Sequence, residues 1–252
     1  MTVLALLHSP LTSRAAWGHL SDELLFLGWD GVVEVDVRDD DSPPYAQRYV
    51  ASAATQLASH LDSPVTPRTD PAVDVATIDW REQPVILVGH SGAGPLLAQV
   101  AFARRAAGRP VHGYVFVDAG LPRPASARCR LELMAIEDAG FAEQLRNHLD
   151  DGGCFPSWTS DDLADEIRDD DARDALVQGL RPRGLTYFTE ELPLAEDWPD
   201  APVGYLQLSD AYAQPAATAR RRGWNTLHLD LGHFAALTRP DVVAGAITEL
   251  TR

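Results

Sequence analysis

The sequence contains no lysine: all 21 of its basic side chains are arginines. That absence excludes Schiff-base chemistry and a P-loop lysine at once. Together with the excess of Ala and Asp, it reads as the base composition of a GC-rich bacterial genome. Cysteine is scarce as well. Cys129 and Cys154 are the two present, with no CxxC spacing, so neither a zinc ribbon nor a thioredoxin-like pair is encoded. Nothing demands a disulfide, and a reducing cytoplasm is the expected compartment. Apolar runs are all short, so no membrane span is expected. The opening stretch Met1–Leu7 lacks a basic region and a cleavage site, and reads as a buried strand rather than a signal peptide. Basic charge is in deficit: 37 acidic residues leave a formal charge of −16. Such a surface repels phosphate backbones and anionic lipid, which points away from nucleic acid and membranes and toward a small-molecule substrate.

What is present is an ordinary globular composition, 45% apolar and 23% charged over 252 residues. That is enough for one α/β domain with a modest insertion. Five short apolar runs read as strands: Val3–Leu7, Gly31–Val37, Val85–Val88, Gly113–Val117 and Val203–Leu208, with Thr226–Leu229 a weaker sixth. Near-continuous apolar runs of this length suit strands buried on both faces of a parallel sheet. Helical spacing lies between them, over Arg14–Leu27, Tyr45–Leu61, Gly94–Ala107 and Pro240–Leu250. The alternation predicts an α/β fold, a mostly parallel central sheet with helices on both faces.

Two regions interrupt it. Residues 62–80, rich in Pro, Thr and Asp, read as an extended loop. Residues 121–200 are acidic and helical, with helical spacing over Arg128–Glu137, Phe141–Leu149 and Ser160–Leu180. Lying between two strands, they read as a helical cap on a core made of 1–120 and 201–252. The run Asp169-Asp170-Asp171 is a solvated face or helix break rather than a metal site, because no His or Glu at ligand spacing accompanies it. No metal and no cofactor is implied.

The informative motif is Gly89-His90-Ser91-Gly92-Ala93-Gly94. An apolar strand enters it and a helical pattern leaves it, the setting in which a GxSxG-like turn presents a serine hydroxyl at the edge of a sheet. The residues two before and two after the serine must be small to clear the neighbouring strand and helix, and Gly89 and Ala93 are. The helix N-terminus that follows favours developing negative charge at Ser91.

With the opening Leu7-His8-Ser9-Pro10, the downstream Trp17, the GHSGAG turn, the position of the inserted block and the late Gly232-His233-Phe234, most of the chain resembles the α/β-hydrolase superfamily, in particular its small bacterial serine esterase or lyase-type members. The resemblance implies an α/β-hydrolase fold with a nucleophile at Ser91. It implies a general base at His233, which follows the last strand in the family's Ser, acid, His order. It disfavours epoxide hydrolysis and haloalkane dehalogenation, whose enzymes carry Asp at the nucleophile position. His8 and His90 flank the site, where such residues pack or orient loops. For the acid, two candidates stay open. Asp210 follows the strand Val203–Leu208, where the family most often places it, and Asp118 ends the strand Tyr114–Val117. Asp230 is a weaker third.

The oxyanion loop is awkward. Gly92 supplies one backbone N–H. The second should come from the loop after the first strand, here Ser9-Pro10-Leu11, and proline has no N–H to give. Three ways out remain: a shift that lets Leu11 donate, a hydroxyl of Ser9, Thr12 or Ser13 standing in, or a reaction that needs no full oxyanion hole. The functions open at this point are three. One is hydrolysis or transfer of an ester, thioester or related acyl bond by Ser91, His233 and an aspartate. Another is a lyase, cyclase or C–C bond-cleaving reaction using Ser–His as general base. The last is a ligand-binding module that has kept the pocket.

Overall fold

The structure is a computed structural model that describes residues 2–38, 41–62 and 83–252. The described residues form six strands: β1 (Val3–Leu7), β2 (Gly31–Val35), β3 (Val85–Ser91), β4 (Gly113–Ala119), β5 (Val203–Gln207) and β6 (Asn225–His228). They make one sheet in the order β2-β1-β3-β4-β5-β6, every pairing parallel. All six expected strands are present. The two that matter most run further than their apolar stretches: β3 continues to Ser91 and β4 to Ala119, carrying polar residues onto the carboxyl edge.

The helices are α1 (Leu20–Phe26), α2 (Tyr45–Asp62), α3 (Leu97–Ala106), α4 (Arg130–Glu137), α5 (Ala139–Asp150), α6 (Asp170–Gln178), α7 (Leu185–Thr189), α8 (Ala213–Arg221), α9 (Ala235–Thr238) and α10 (Pro240–Leu250). Side chains alternate across the sheet, as a pleated strand requires. From β1, Val3, Ala5 and Leu7 join one core with Tyr49 and Leu57 of α2, Leu97 of α3 and Ala216 of α8. Leu4 and Leu6 join the other, with Leu20 of α1 and Val243 and Ile247 of α10. Both faces are therefore covered, which explains why the strands read as unbroken apolar runs.

Several expected helices are shorter or divided. Arg14–Leu27 splits into a 3-10 turn at Arg14–Trp17 and α1, because Gly18 takes φ +52 between them and lies against Leu237. Gly94–Ala107 opens as a 3-10 turn, with Pro95 in its first turn, before α3 begins. Ser160–Leu180 divides into a 3-10 turn at Asp161–Leu163 and α6. The aspartate run starts the second piece: the Asp169 side chain accepts the Ala172 N–H, and Asp170 and Asp171 fill the first helical turn. The stretch 62–80, apart from Asp62, lies outside the described residues.

The block 121–200 contains α4 to α7. Leu131, Leu145, Leu149, Tyr187 and Phe188 form a cluster of their own within it. A second cluster, Leu163, Ile167 and Leu176 with Ala16 and Phe234, ties the block to the loops at the carboxyl edge of the sheet. Cys129 is buried, Cys154 is exposed, and both are free thiols. Among the described residues no helix is long and apolar enough to cross a membrane, and no group of three or more His, Cys, Asp or Glu is placed to hold a metal ion.

Glycine placement gives a direct test. A Cβ on Gly94 would sit 2.0 Å from the Gly120 carbonyl oxygen and 2.9 Å from the Ala119 side chain, so the turn after β3 touches the turn after β4. Gly245, exposed in α10, has nothing within 4 Å of its Cβ position. Gly94→Ala is expected to destabilise the fold by about 3 kcal/mol or more. Gly245→Ala should stabilise it by about 0.5–1 kcal/mol. Urea unfolding of the two variants checks both signs.

Candidate active site

Ser91 ends β3 with φ +55, a left-handed conformation that non-glycine residues rarely adopt. The turn forces it. Gly89 packs so closely on Leu97 that a Cβ there would lie 2.9 Å from its methyl groups, and Ala93 is fully buried. Both small positions around the serine are thus explained by contact. Across from it, the β3–β4 pairing skips a residue: His90 pairs with Val117 and Ser91 with Ala119. The residue left over is Asp118, also left-handed at φ +43. This bulge turns the carboxylate out of the ladder and toward the loops beyond β5 and β6.

Asp118 is fully buried and accepts four hydrogen bonds. The backbone N–H groups of Leu208 and Ser209 bind Oδ1 at 2.8 and 3.0 Å. The Ser209 hydroxyl and His233 Nδ1 bind Oδ2 at 2.6 and 2.8 Å. Burial pushes its pKa up, but the His233 contact and the Ser209 and Leu208 hydrogen bonds outweigh that and hold the carboxyl below its ordinary value. A carboxylate that only accepts fixes the tautomer of His233: Nδ1 carries the proton and Nε2 keeps its lone pair.

Asp210 is placed differently. It is exposed and opens the 3-10 turn Asp210–Tyr212, and His233 takes Asp118 rather than Asp210 as its partner. Among the described residues Asp230 makes no hydrogen bond or ion pair with His233 either.

His90 lies beneath His233, ring centroids 4.5 Å apart and 29° from parallel, and its Nε2 donates to the His233 carbonyl at 3.0 Å. Burial, and then the neighbouring His233, lower its pKa to about 3, so it stays neutral. His8 is likewise buried. Its Nδ1 donates to the Ser9 carbonyl at 2.8 Å while Nε2 accepts the Val37 N–H at 3.2 Å, and burial lowers its pKa to about 4. Both histidines therefore brace loops. The loop bearing His233 is also latched from the 121–200 block: Glu166 Oε1 accepts the Phe234 N–H at 2.8 Å, in the space that a side chain on Gly232 would take.

Tyr212 was not legible as a site residue. Its hydroxyl lies 3.1 Å from Ser91 Oγ, and its ring stacks on His233, centroids 5.3 Å apart and 13° from parallel. Ser91 makes its hydrogen bond to this tyrosine and not to His233. Burial pushes the Tyr212 pKa up, so the phenol keeps its proton. The signal in sequence was only a Tyr two residues past a candidate acid.

In the loop after β1, where the sequence places a second oxyanion donor, the Leu11 N–H is directed at Ser9 Oγ at 3.2 Å. Thr12 gives both its N–H and its hydroxyl to the Ser9 carbonyl, and the Ser13 hydroxyl caps Ala15. Ser9 is packed against Gly92, where an added Cβ would lie 2.9 Å from Ser9 Oγ. Gly92 follows the serine and keeps its N–H without a partner among the described residues.

A cavity of about 430 Å³, including its open mouth, reaches Ser91 and Gly92. Its walls are mostly apolar: Leu11, Pro95, Leu133, Met134, Tyr187 and Phe188. Three polar side chains also line it, Tyr212, Glu137 and Arg130. The cavity is lined on one side by sheet-edge loops and on the other by α4 and α7.

The chain belongs to the alpha/beta hydrolase family, whose model matches residues 4–246. Among solved structures it resembles an extracellular alpha/beta-hydrolase from a Paenibacillus species (15% identity over 99% of each chain, TM-score 0.70). It also resembles a variant of polyneuridine aldehyde esterase (14% identity over 100% of each chain, TM-score 0.67). Tomato methylketone synthase I is a third such structure (14% identity over 99% of this chain and 97% of that one, TM-score 0.63). At these identities the likeness is one of fold. No curated protein matches the chain.

Two expectations follow. Asp118→Asn should slow reaction of Ser91 with a para-nitrophenyl ester by about 10³–10⁴-fold, while Asp210→Asn stays within about threefold of wild type. Equal effects of the two substitutions would overturn the assignment made from geometry. The second concerns acid. A histidine in the unfolded chain titrates near 6.5. Below that, the unfolded chain takes up protons that buried His8 and His90 refuse, so stability falls as pH falls. From pH 6.5 to 5 each withholds a proton over ~1.5 units, a loss of about 2 kcal/mol per histidine. Asp118, held below its ordinary value, adds a further loss only under about pH 4. Urea unfolding at pH 7 and pH 5 should show a drop of about 2–4 kcal/mol. An unchanged stability would contradict burial in the neutral form.

Proposed function

We propose that the chain is a serine hydrolase that cleaves an ester, thioester or related acyl bond of a small molecule, with Ser91 as nucleophile, His233 as base and Asp118 as the orienting acid. The observation that carries this reading is the 2.8 Å contact between His233 Nδ1 and Asp118, which leaves Nε2 free, with Tyr212 touching both that imidazole and the serine on its strained turn. The block 121–200 acts as the cap, since α4 and α7 supply the wall opposite Ser91. The two free thiols support a reducing, cytoplasmic setting.

In the resting site the serine hydroxyl is held by Tyr212. A substrate carbonyl entering the cavity takes over that tyrosine hydrogen bond. Ser91 Oγ then turns to His233 Nε2, which accepts its proton as Oγ bonds to the carbonyl carbon. Free-enzyme hydrogen bonds of this kind are often formed only in the substrate complex. Negative charge collects on the former carbonyl oxygen. The Gly92 N–H is one donor to it. Pro10 has no N–H and that of Leu11 is directed at Ser9, so the second donor in this reading is the Tyr212 hydroxyl. The C–O or C–S bond to the leaving group breaks as His233 returns the proton to the leaving atom. Water, deprotonated by the same Nε2, then releases the acid and restores Ser91.

A second reading is kept by the same loop. If no second donor reaches the oxyanion, the Ser–His pair serves as a general base in a lyase or C–C cleaving reaction, and no acyl-serine forms. Labelling with a fluorophosphonate probe tests the activated serine. Wild type is expected to label, and Ser91→Ala and His233→Ala to lose labelling. Mass spectrometry after a para-nitrophenyl ester should show an acyl adduct on the peptide containing Ser91. Labelling without any adduct would favour the lyase reading, and no labelling of wild type would sink both.

A further inference from the structure

One ionisable group in the cavity is used by nothing above. Helix α4 turns a single stripe to the cavity, Arg130, Leu133, Met134 and Glu137, spaced i, i+3, i+4 and i+7. Its two charged ends lie about 10 Å apart along the helix axis. Arg130 is tied down: it donates to the Tyr187 carbonyl at 3.0 Å, pairs with Glu190 at 3.4 Å and covers the Tyr187 ring at 3.9 Å. Glu137 is not. Its carboxyl makes no hydrogen bond or ion pair with any described residue. An oxygen of it lies over Gly120, 3.1 Å from where a Cβ would be, two residues past Asp118. Leu133 and Met134 on the stripe and Pro95 across the cavity offer it no donor, and the donors in the cavity, Arg130 and the Tyr212 hydroxyl, make no hydrogen bond to it. Burial alone pushes its pKa up to about 7.

Glu137 is half-buried, and a carboxyl that enters a mostly apolar cavity without a protein partner gains from a ligand that completes it. As a carboxylate it only accepts, and the strongest acceptor contact is to a cation that donates. Arg130 is held by Glu190 through Nη1, while its Nη2 has no hydrogen-bond partner, and Glu137 is the cavity carboxyl without one. The ring of Phe188 lines the same space, and an aromatic ring also favours a positive group. The formal charge of −16 favours approach of a cation from solution.

We infer that Glu137 is a specificity-determining residue of the Ser91 cavity, and that it binds a protonated amine carried by the acyl part of the substrate. This rests on the serine-hydrolase reading only for where the substrate reacts; recognition of the amine stands apart from it. The test uses two esters of equal shape, the para-nitrophenyl esters of β-alanine and of butyric acid, which differ by an ammonium in place of a methyl group. Wild type should favour the β-alanine ester by about tenfold to a hundredfold in kcat/KM, the range for one hydrogen bond to a charged group. Glu137→Gln, which keeps the shape and removes the charge, should lower that ratio by about tenfold or more while the butyrate ester is still hydrolysed. A wild-type ratio near or below one, or a ratio unchanged in Glu137→Gln, overturns the inference. Binding of hexylammonium chloride against hexanol to Ser91→Ala protein, followed by calorimetry, gives a readout without turnover. Tighter binding of the ammonium that Glu137→Gln abolishes supports the inference even if no ester is cleaved, and equal binding of the two overturns it. Loss of ester hydrolysis and of fluorophosphonate labelling in wild type would instead strike the hydrolase reading.

Discussion

Two strands of the sheet leave it side by side, and the turns that follow β3 and β4 have less than one methyl group of room between them. Gly94 meets the carbonyl of Gly120 at a distance no side chain could share. That closeness sets the geometry of everything above it. It obliges the chain after Ser91 to turn at once into the 3-10 start of α3. It also accompanies the skipped residue in the β3–β4 pairing, which takes Asp118 out of the ladder. Serine and aspartate both adopt left-handed backbone conformations, the kind of local strain that persists only where packing enforces it. Here the packing is two cores pressing on both faces of the strands.

The electrostatics of the site follow from the same edge. One carboxylate is buried there and saturated with donors, so it stays charged; two histidines are buried without a carboxylate and stay neutral. Between them His233 is partly exposed and stacked between His90 and Tyr212, with one nitrogen committed and the other available. The differences arise from partners and depth rather than residue type, which is how three neighbouring segments at one sheet edge hold three imidazoles in different states.

Much of this was readable in the sequence, and the limits have physical causes. Apolar runs in Val3–Leu7 and Val85–Val88 disclose buried strands because both faces of the sheet are covered. The small residues at Gly89 and Ala93 disclose a tight turn. Helix α8 escaped notice because its buried face is Pro215, Ala216 and Ala219, too small to make an apolar period. The choice between Asp118 and Asp210 could not be made from spacing, since it depends on a bulge, a relation between two strands that neither strand encodes alone. Tyr212 and Glu137 escaped for a related reason. Each reaches the cavity from a separate part of the chain, and only the packing of α4 and the turn after β5 against the sheet brings them to Ser91.

The contact from Glu166 to the backbone of the histidine loop makes the inserted block more than a wall. The same segment that shapes the cavity also fixes where the imidazole stands, with Leu163 and Ile167 packed on Phe234 beside it. On the proposed reading, substrate range and chemical competence are inherited together. Exchanging the block for that of a relative, to change what the cavity accepts, would have to carry an acidic residue at the place of Glu166, or the recipient would gain a new pocket over a displaced histidine.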